Sequence, residues 1–132
     1  MRGRGIELIL MRQLAGCLAM PIVLSDTRGD VVYVNESAEQ LLGLSVGESD
    51  TVSASELAEI LSARGCDGRA LRPDEMPTRR AVVSGRPVHQ KLQVRGAGGL
   101  DHWLEATAFP LLSTVGEQVG AVSILWDAPG ED

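Results

Sequence analysis

The stretch PIVLSDTRGDVVYVNESAEQLLG, from Pro21 to Gly43, places two short apolar runs on either side of a charged turn. Both runs are rich in β-branched residues, which favour strands, and the turn contains Gly29, which tolerates positive φ. Asn35 follows the second run directly and is a strong helix N-cap, while Gly43 is typical of a helix C-terminus. The stretch therefore predicts a β-hairpin that runs straight into a short helix.

Length and composition predict one soluble globular domain. The 132 residues are 44% hydrophobic and 23% charged, which is enough apolar sequence for one core. The formal net charge of −6 argues against a nucleic-acid partner, because such proteins present a basic face. No apolar run approaches the ~20 residues of a membrane span. Glu7 and Arg12 interrupt the stretch that resembles a signal peptide. These features predict a cytoplasmic domain that does not insert into a membrane.

Apolar residues recur with helical spacing before Pro21. At about 100° per residue, a helix over roughly residues 5–18 gathers its apolar side chains into one stripe. We therefore expect an N-terminal amphipathic helix within residues 1–19 and a folded domain over residues 20–127. Residues 128–132 are predicted to begin a linker that is truncated here. The stripe consists of Ile6, Leu10, Leu14 and Leu18.

Two further helices are predicted in the middle of the chain. Ser53 and Glu56 have the spacing of a capping box, and Gly65 is the expected end of that helix. A second, shorter helix is expected from about residue 74 to residue 84. Pro77 fits this helix because its first turn tolerates proline.

Three strands are predicted to complete the chain: PVHQKLQV, DHWLEATAFPLL and QVGAVSILWD. A register that pairs Lys91 with Glu105 and Arg95 with Asp101 puts opposite charges directly across the first two strands, which is favourable. A regular continuation into the last strand places Ala108 opposite Val122 and Ala106 opposite Ile124. The outer face is then too apolar to be left in water, and the N-terminal helix of the same chain or a partner is its natural cover. That outer face carries Phe109, Leu111, Val119, Ala121 and Leu125.

The order strand–strand–helix–helix–helix–strand–strand–strand resembles that of the PAS domain, a sensory module of bacterial regulatory proteins. The resemblance covers residues 5–127 and rests mainly on the opening stretch, on DGRALRPDEMPTRRAVVSGRPV and on AFPLLSTVGEQVGAVSILWD. It implies an α+β fold: a five-stranded antiparallel sheet in the order 2-1-5-4-3, with helices on one face and a cavity between the layers. The residues expected to line the cavity are Val23, Val32, Leu42, Leu57, Ile60, Leu61, Met76, Leu92, Ala106, Val122 and Ile124.

The resemblance indicates no identifiable cofactor. Haem-binding members carry a histidine on the third helix, and DEMPTRRAVVSG has none. Flavin photoreceptors carry a cysteine in a helical motif resembling N-C-R-F-L-Q, whereas Cys66 lies in a predicted turn. His89 and His102 fall on opposite faces of the sheet, and each is either a structural residue or a ligand or pH sensor. No catalytic triad, nucleophile elbow or metal-type cysteine pair is found, so we expect neither catalytic nor metal-binding residues.

Two functions remain open from the sequence. The first is a sensory input domain that binds a small apolar ligand and signals to a missing C-terminal effector, which is a kinase, cyclase, phosphatase or transcription factor. The second is a ligand-free interaction module that mediates homodimerisation of a larger protein. In this case larger side chains occupy the space beside its small alanines. The predicted dimer interface consists of Ile6, Leu10, Leu14, Leu18, Phe109, Leu111, Val119, Ala121 and Leu125.

Overall fold

The computed structural model describes residues 9–11, 13–14, 17, 19–46, 50–95, 99 and 101–128. Five strands form one antiparallel sheet in the order β2-β1-β5-β4-β3, with helices packed on one face. This arrangement confirms the predicted fold. The strands are β1 (Ile22–Ser25), β2 (Val31–Val34), β3 (Val88–Arg95), β4 (Asp101–Leu112) and β5 (Gln118–Asp127).

The helical layer lies between β2 and β3 in the chain. It consists of α1 (Glu36–Leu42), α2 (Ala54–Leu61), a 3₁₀ helix (Pro73–Glu75) and α3 (Pro77–Ser84). Of the helices in this layer, α3 makes the most extensive contact with the sheet, and it lies over β3, β4 and β5. The outer face of the sheet is left to other parts of the chain or to a partner.

Asn35 joins the opening hairpin to α1. Its side-chain Oδ1 accepts hydrogen bonds from the backbone N–H groups of Ala38 and Ile22, both at 3.0 Å. Its Nδ2 donates to the carbonyl of Met20 at 2.8 Å. The first bond is the predicted N-cap, while the other two hold the start of β1 against the corner. Because Asn35 is only 1% exposed, these groups depend on one another rather than on water.

The last residue of α2 and the first residue of α3 differ from the predicted positions. The capping box of Ser53 and Glu56 is present, but α2 ends at Leu61, and Ser62 adopts a left-handed conformation with φ of 48°. The predicted end at Gly65 is therefore wrong. The helix expected from residue 74 is divided because Met76, which precedes Pro77, is extended with φ of −72° and ψ of 145°. A residue before proline is sterically disfavoured from the α region.

The hairpin of β3 and β4 has the predicted register. Lys91 pairs with Glu105 and Arg95 with Asp101 across the two strands. Arg95 Nε and Asp101 Oδ1 are 3.3 Å apart, and both side chains are about half exposed. An exposed pair of this kind contributes at most about 1 kcal/mol. Its main effect is therefore to specify the register.

The register predicted for β5 is wrong by one residue over most of the strand. Ala106 pairs with Leu125 and Ala108 with Ser123, whereas Leu112 near the turn pairs with Gln118. The shift occurs at a β-bulge beside Leu111, where β5 contains one extra residue. Since side chains alternate between the faces of a sheet, this single residue reverses the facing of the whole remaining strand.

A second bulge reverses the facing of Val32. Leu24 pairs with Tyr33 and Ser25 with Val31, so Val32 is the extra residue of β2. Val31 and Val34 contribute to the core under the helices, whereas Val32 belongs to the cluster on the outer face. The prediction that Val32 faces the cavity is therefore wrong.

The N-terminal segment is helical at residues 9–11 and 13–14. Met11 packs against the outer-face cluster of the sheet, while Leu10 and Leu14 are 55% and 52% exposed. Ile6 and Leu18 of the predicted stripe lie outside the described residues, as do residues 129–132 of the predicted linker. The domain boundaries stay predictions.

Candidate functional site

A cavity of about 40 Å³ lies between the inner face of the sheet and the helical layer. Its wall is almost entirely apolar, and none of the residues on it carries an ionisable side chain. The wall residues are Val23, Leu42, Leu57, Leu61, Met76, Pro77, Thr78, Leu92, Val94, Leu104, Ala106, Ser123 and Leu125.

The break between the 3₁₀ helix and α3 delivers Met76 to the cavity wall. Met76 is only 3% exposed, and the extended conformation before Pro77 turns the chain at this point. Glu75 anchors the preceding turn because its Oε1 accepts from the Arg72 backbone N–H at 2.8 Å. That hydrogen bond, together with the Arg69 guanidinium, lowers the pKa of Glu75 below its ordinary value of 4.5. The carboxylate is therefore ionised at neutral pH, where it accepts these bonds.

A second contact ties this turn to the sheet. Gln90 on β3 donates from Nε2 to the Glu75 carbonyl at 3.1 Å and accepts from Arg80 Nη1 at 2.6 Å. The wall residues that follow Glu75 are thus held both by the turn itself and by the edge strand. Movement of the Met76 side chain alone would leave the Glu75–Arg72 and Gln90–Glu75 hydrogen bonds in place.

Seven of the eleven residues predicted for the cavity lie on its wall: Val23, Leu42, Leu57, Leu61, Met76, Leu92 and Ala106. The other four predictions are wrong. Val32, Val122 and Ile124 belong to the outer-face cluster because of the two bulges. Ile60 is 51% exposed on α2 because the buried stripe centres on Leu57 and Leu61. At 100° per residue Ile60 lies at the edge of that stripe.

Six wall residues were not among those predicted: Pro77, Thr78, Val94, Leu104, Ser123 and Leu125. Val94 and Leu104 follow from the predicted β3–β4 register, which put them on the inner face. Ser123 and Leu125 are inward because of the bulge in β5, for which the local sequence carries no clear signal. Thr78 lies in the first turn of α3 immediately after Pro77.

The residues predicted for a dimer interface divide between the two faces of the sheet. Phe109 and Leu111 pack in the outer-face cluster with Met11, as expected for residues that need a cover. Val119 is half-buried at the bulge. Ala121 is fully buried beside Ala81 and Ala108 under α3, and Leu125 is on the cavity wall, so these two predictions are wrong.

The two histidines lie on opposite faces of the sheet, as predicted. His89 is on the outer face, where its Nε2 is 2.8 Å from Glu105 Oε1 and its Nδ1 is 2.9 Å from Thr107 Oγ1. Its ring centroid is 5.9 Å from that of Trp126. Across the described residues, no three His, Cys, Asp or Glu side chains are grouped so that they could hold a metal ion. Cys17 and Cys66 are exposed free thiols.

A protein-family model described as the PAS fold matches residues 18–128, which is most of the chain. This chain belongs to the PAS family. The five-stranded order 2-1-5-4-3 and the helices on its inner face agree with that assignment. No protein with a curated function matches the sequence. No helix within the described residues has the length and apolar character needed to span a membrane.

Solved structures of PAS domains resemble this one at low sequence identity. A PAS domain from Colwellia psychrerythraea is 18% identical with a TM-score of 0.60, covering 92% of this chain and 96% of its own. The PAS domain of nitrogen regulation protein NR(II) from Vibrio parahaemolyticus is 16% identical with a TM-score of 0.59, covering 90% and 98%.

A phage VqmA–DPO complex is also similar, at 17% identity with a TM-score of 0.69. The match covers 95% of this chain and 54% of the VqmA chain, so this chain spans about half of the length of VqmA. At identities this low, the structural similarity shows a shared fold and no shared function.

Proposed function

We propose that this PAS domain is the sensory input module of a larger regulatory protein and that its cavity admits a small ligand of mainly apolar character. The observation that carries the proposal is the uncharged, largely apolar cavity, whose wall is built from both the sheet and the helices. A small molecule inside it would contact both layers at once. Its binding would therefore favour whichever arrangement of the layers fits it better.

The volume of the cavity limits the ligand. A water molecule needs at least about 10–15 Å³ of such space, and a cavity of about 150 Å³ binds benzene. At about 40 Å³, the cavity in this state is intermediate between these two sizes. A ligand larger than a few atoms would have to displace a wall residue. Met76 is suited to this because an unbranched thioether side chain repacks more easily than a branched one.

Strand β5 offers a route by which such a change would reach the outer face. Ser123 and Leu125 lie on the cavity wall, while Val122 and Ile124, between and beside them, pack in the outer cluster with Met11. A shift of β5 would therefore alter the cavity and the seat of the N-terminal segment together. In the full-length protein this coupling would act on an effector. VqmA, one of the similar structures, has been solved bound to DPO and is described as a DNA-binding LuxR-type receptor.

Filling the cavity should abolish ligand binding without unfolding the domain. Ala106→Val adds two carbon atoms at a cavity-wall position that is 0% exposed, and overpacking of this size costs about 1–3 kcal/mol. We expect wild-type protein to retain a co-purifying small molecule in native mass spectrometry and the variant to lose it.

Ala108→Val is the matched control for this experiment. Ala108 is on the same strand and face and is equally buried, but it lies under α3 beside Ala81 and Ala121 rather than on the cavity wall. This variant should lose stability yet keep the ligand. Wild-type protein that carries no small molecule and gains no stability from any would contradict ligand sensing.

A second candidate function, homodimerisation of a larger protein, is favoured by the exposed apolar residues near the N-terminus. Ile9, Leu10 and Leu14 are 54%, 55% and 52% exposed, next to Met11, which already contacts the outer face of the sheet. A second chain would cover these side chains in a two-fold contact. This function and ligand sensing are compatible, because the interface would lie on the other side of the sheet from the cavity.

The double variant Leu10→Asp/Leu14→Asp should dissociate such a dimer. Burying each leucine is worth about 1.5–3 kcal/mol, so the dissociation constant should rise at least about a hundredfold. Sedimentation velocity measures this directly. Ile60→Asp, an equally exposed apolar position on α2, should leave the dimer intact. Wild-type protein that stays monomeric at high micromolar concentration would exclude the dimer.

A further inference from the structure

Two buried hydroxyl groups lie on the otherwise apolar cavity wall. Thr78, in the first turn of α3, is 5% exposed, and Ser123, on the inner face of β5, is 3% exposed. Among the hydrogen bonds made by the described residues, none engages the side-chain oxygen of either residue. Neither oxygen is among the fully buried side-chain atoms that lack a partner, which in the described residues are Ser25 Oγ and Gln118 Oε1, so each hydroxyl is open to the cavity space and has unused capacity to donate and to accept.

A third buried hydroxyl lies nearby on the same face. Ser25 is 0% exposed, and its Oγ has no hydrogen-bond partner. It is two residues from Val23, which is on the cavity wall and pairs directly with Ser123. Ser25 itself is not on the wall, so the hydroxyls on the wall are those of Thr78 and Ser123, and every other wall residue is apolar.

We propose that the hydroxyl groups of Thr78 and Ser123 select neutral ligands that carry a hydrogen-bonding group on an otherwise apolar body. A hydroxyl, a carbonyl or a ring nitrogen of the ligand would bond to Thr78 and Ser123 while the apolar part faces Leu57 and Leu61. Charged ligands are disfavoured, because the wall has no ionisable side chain to compensate a buried charge. The inference rests on the proposed sensory function and specifies the ligand class of that same cavity.

The geometry also places the polar contact on the strand that faces both ways. Ser123 lies between Val122 and Ile124, whose side chains belong to the outer-face cluster. A ligand that bonds to Ser123 would therefore hold β5, whereas a purely apolar ligand would fill the cavity without a directional contact. Polar recognition at this position distinguishes a signalling ligand from a purely apolar molecule that happens to fit.

The test uses benzene and phenol, two probes of similar shape of which phenol alone has a hydrogen-bonding group. Their dissociation constants are measured by NMR titration for wild-type protein and for Leu61→Ala, which enlarges the same cavity. Leu57→Ala replaces the latter if it does not fold. Thr78→Val and Ser123→Ala are then introduced singly into the background that binds. A net hydrogen bond corresponds to about a two- to tenfold change in affinity.

We expect each hydroxyl-removing variant to weaken phenol binding by about two- to tenfold relative to benzene. An unchanged ratio of the two affinities in both variants would overturn this inference, including the case in which bound water satisfies the hydroxyls, while the sensory function would stand. Failure of both probes to bind in every background would overturn this inference, and if the wild-type protein also carries no co-purifying molecule, the sensory function falls with it. The affinity ratio is insensitive to a general loss of stability, so a merely structural role of Thr78 or Ser123 would not reproduce the expected result.

Discussion

Asn35→Ala is expected to lower the free energy of unfolding by at least about 3 kcal/mol. Removal of the side chain ends the cap of α1 and leaves the backbone N–H of Ile22 and the carbonyl of Met20 without their partner. A lost N-cap costs about 1 kcal/mol, and each buried polar group left unpaired costs about 1–3 kcal/mol. Urea denaturation followed by circular dichroism measures the effect, with an unchanged m-value showing that the same two-state transition is compared.

Ser53→Ala is the control for the purely local part of this effect. Ser53 caps α2 in the same way, its Oγ accepting from the Glu56 N–H at 3.0 Å, but it holds no other element. Its loss should cost only about 1 kcal/mol. Equal losses in the two variants would mean that Asn35 acts as an ordinary helix cap and does not tie β1 to the corner.

Gly120→Ala is expected to destabilise the domain by about 3 kcal/mol or more. A Cβ at position 120 would lie well inside van der Waals contact with the backbone carbonyl oxygen of Ser25 and would also approach Asp26. That carbonyl belongs to β1, so it cannot move away without disturbing the pairing of β1 with β5. Overpacking against a flexible side chain costs about 1–3 kcal/mol, and rigid backbone gives less relief.

Gly116→Ala separates this clash from backbone strain. Gly116 has φ of +85°, and a Cβ there would meet nothing within 4 Å. Its substitution should cost about 1–2 kcal/mol for the left-handed conformation alone. Thermal unfolding of both variants provides the comparison. A loss at Gly120 no larger than that at Gly116 would show that β1 and β5 can separate locally, and β5 would then be too loosely held to couple the cavity to the outer face.

Asn35 and Gly120 both determine how β1 is held against β5, the strand on which the proposed function depends. Asn35 fixes the start of β1, and Gly120 permits β1 and β5 to approach closely at the other end. Between them, β5 carries Ser123 towards the cavity and Val122 and Ile124 towards the N-terminal segment. A ligand would therefore act on a strand that is held firmly at its sides and exposed to both layers.

The sequence by itself determined the features that depend on near neighbours in the chain. The β1–β2 hairpin, the Asn35 cap and the Ser53–Glu56 capping box follow from turn and capping chemistry. The register of β3 and β4 follows from opposite charges placed across a short connection. Each of these is decided within one turn, one helix end or one hairpin, so local preferences are sufficient to predict it.

Only the tertiary structure decided which side chains of β2 and β5 face the helical layer and which face outward. The bulges at Val32 and beside Leu111 lie in the β1–β2 and β4–β5 hairpins, close to their turns, and the residue types there do not mark which residue is the extra one. Each bulge adds one residue, and with a side-chain period of two that residue exchanges the inner and outer faces of the strand. Ser123 therefore entered the cavity wall while Val122 and Ile124 left it. The chemical character of the proposed ligand site follows from that exchange, because the two apolar side chains expected on the wall gave way to Leu125 and to the hydroxyl of Ser123.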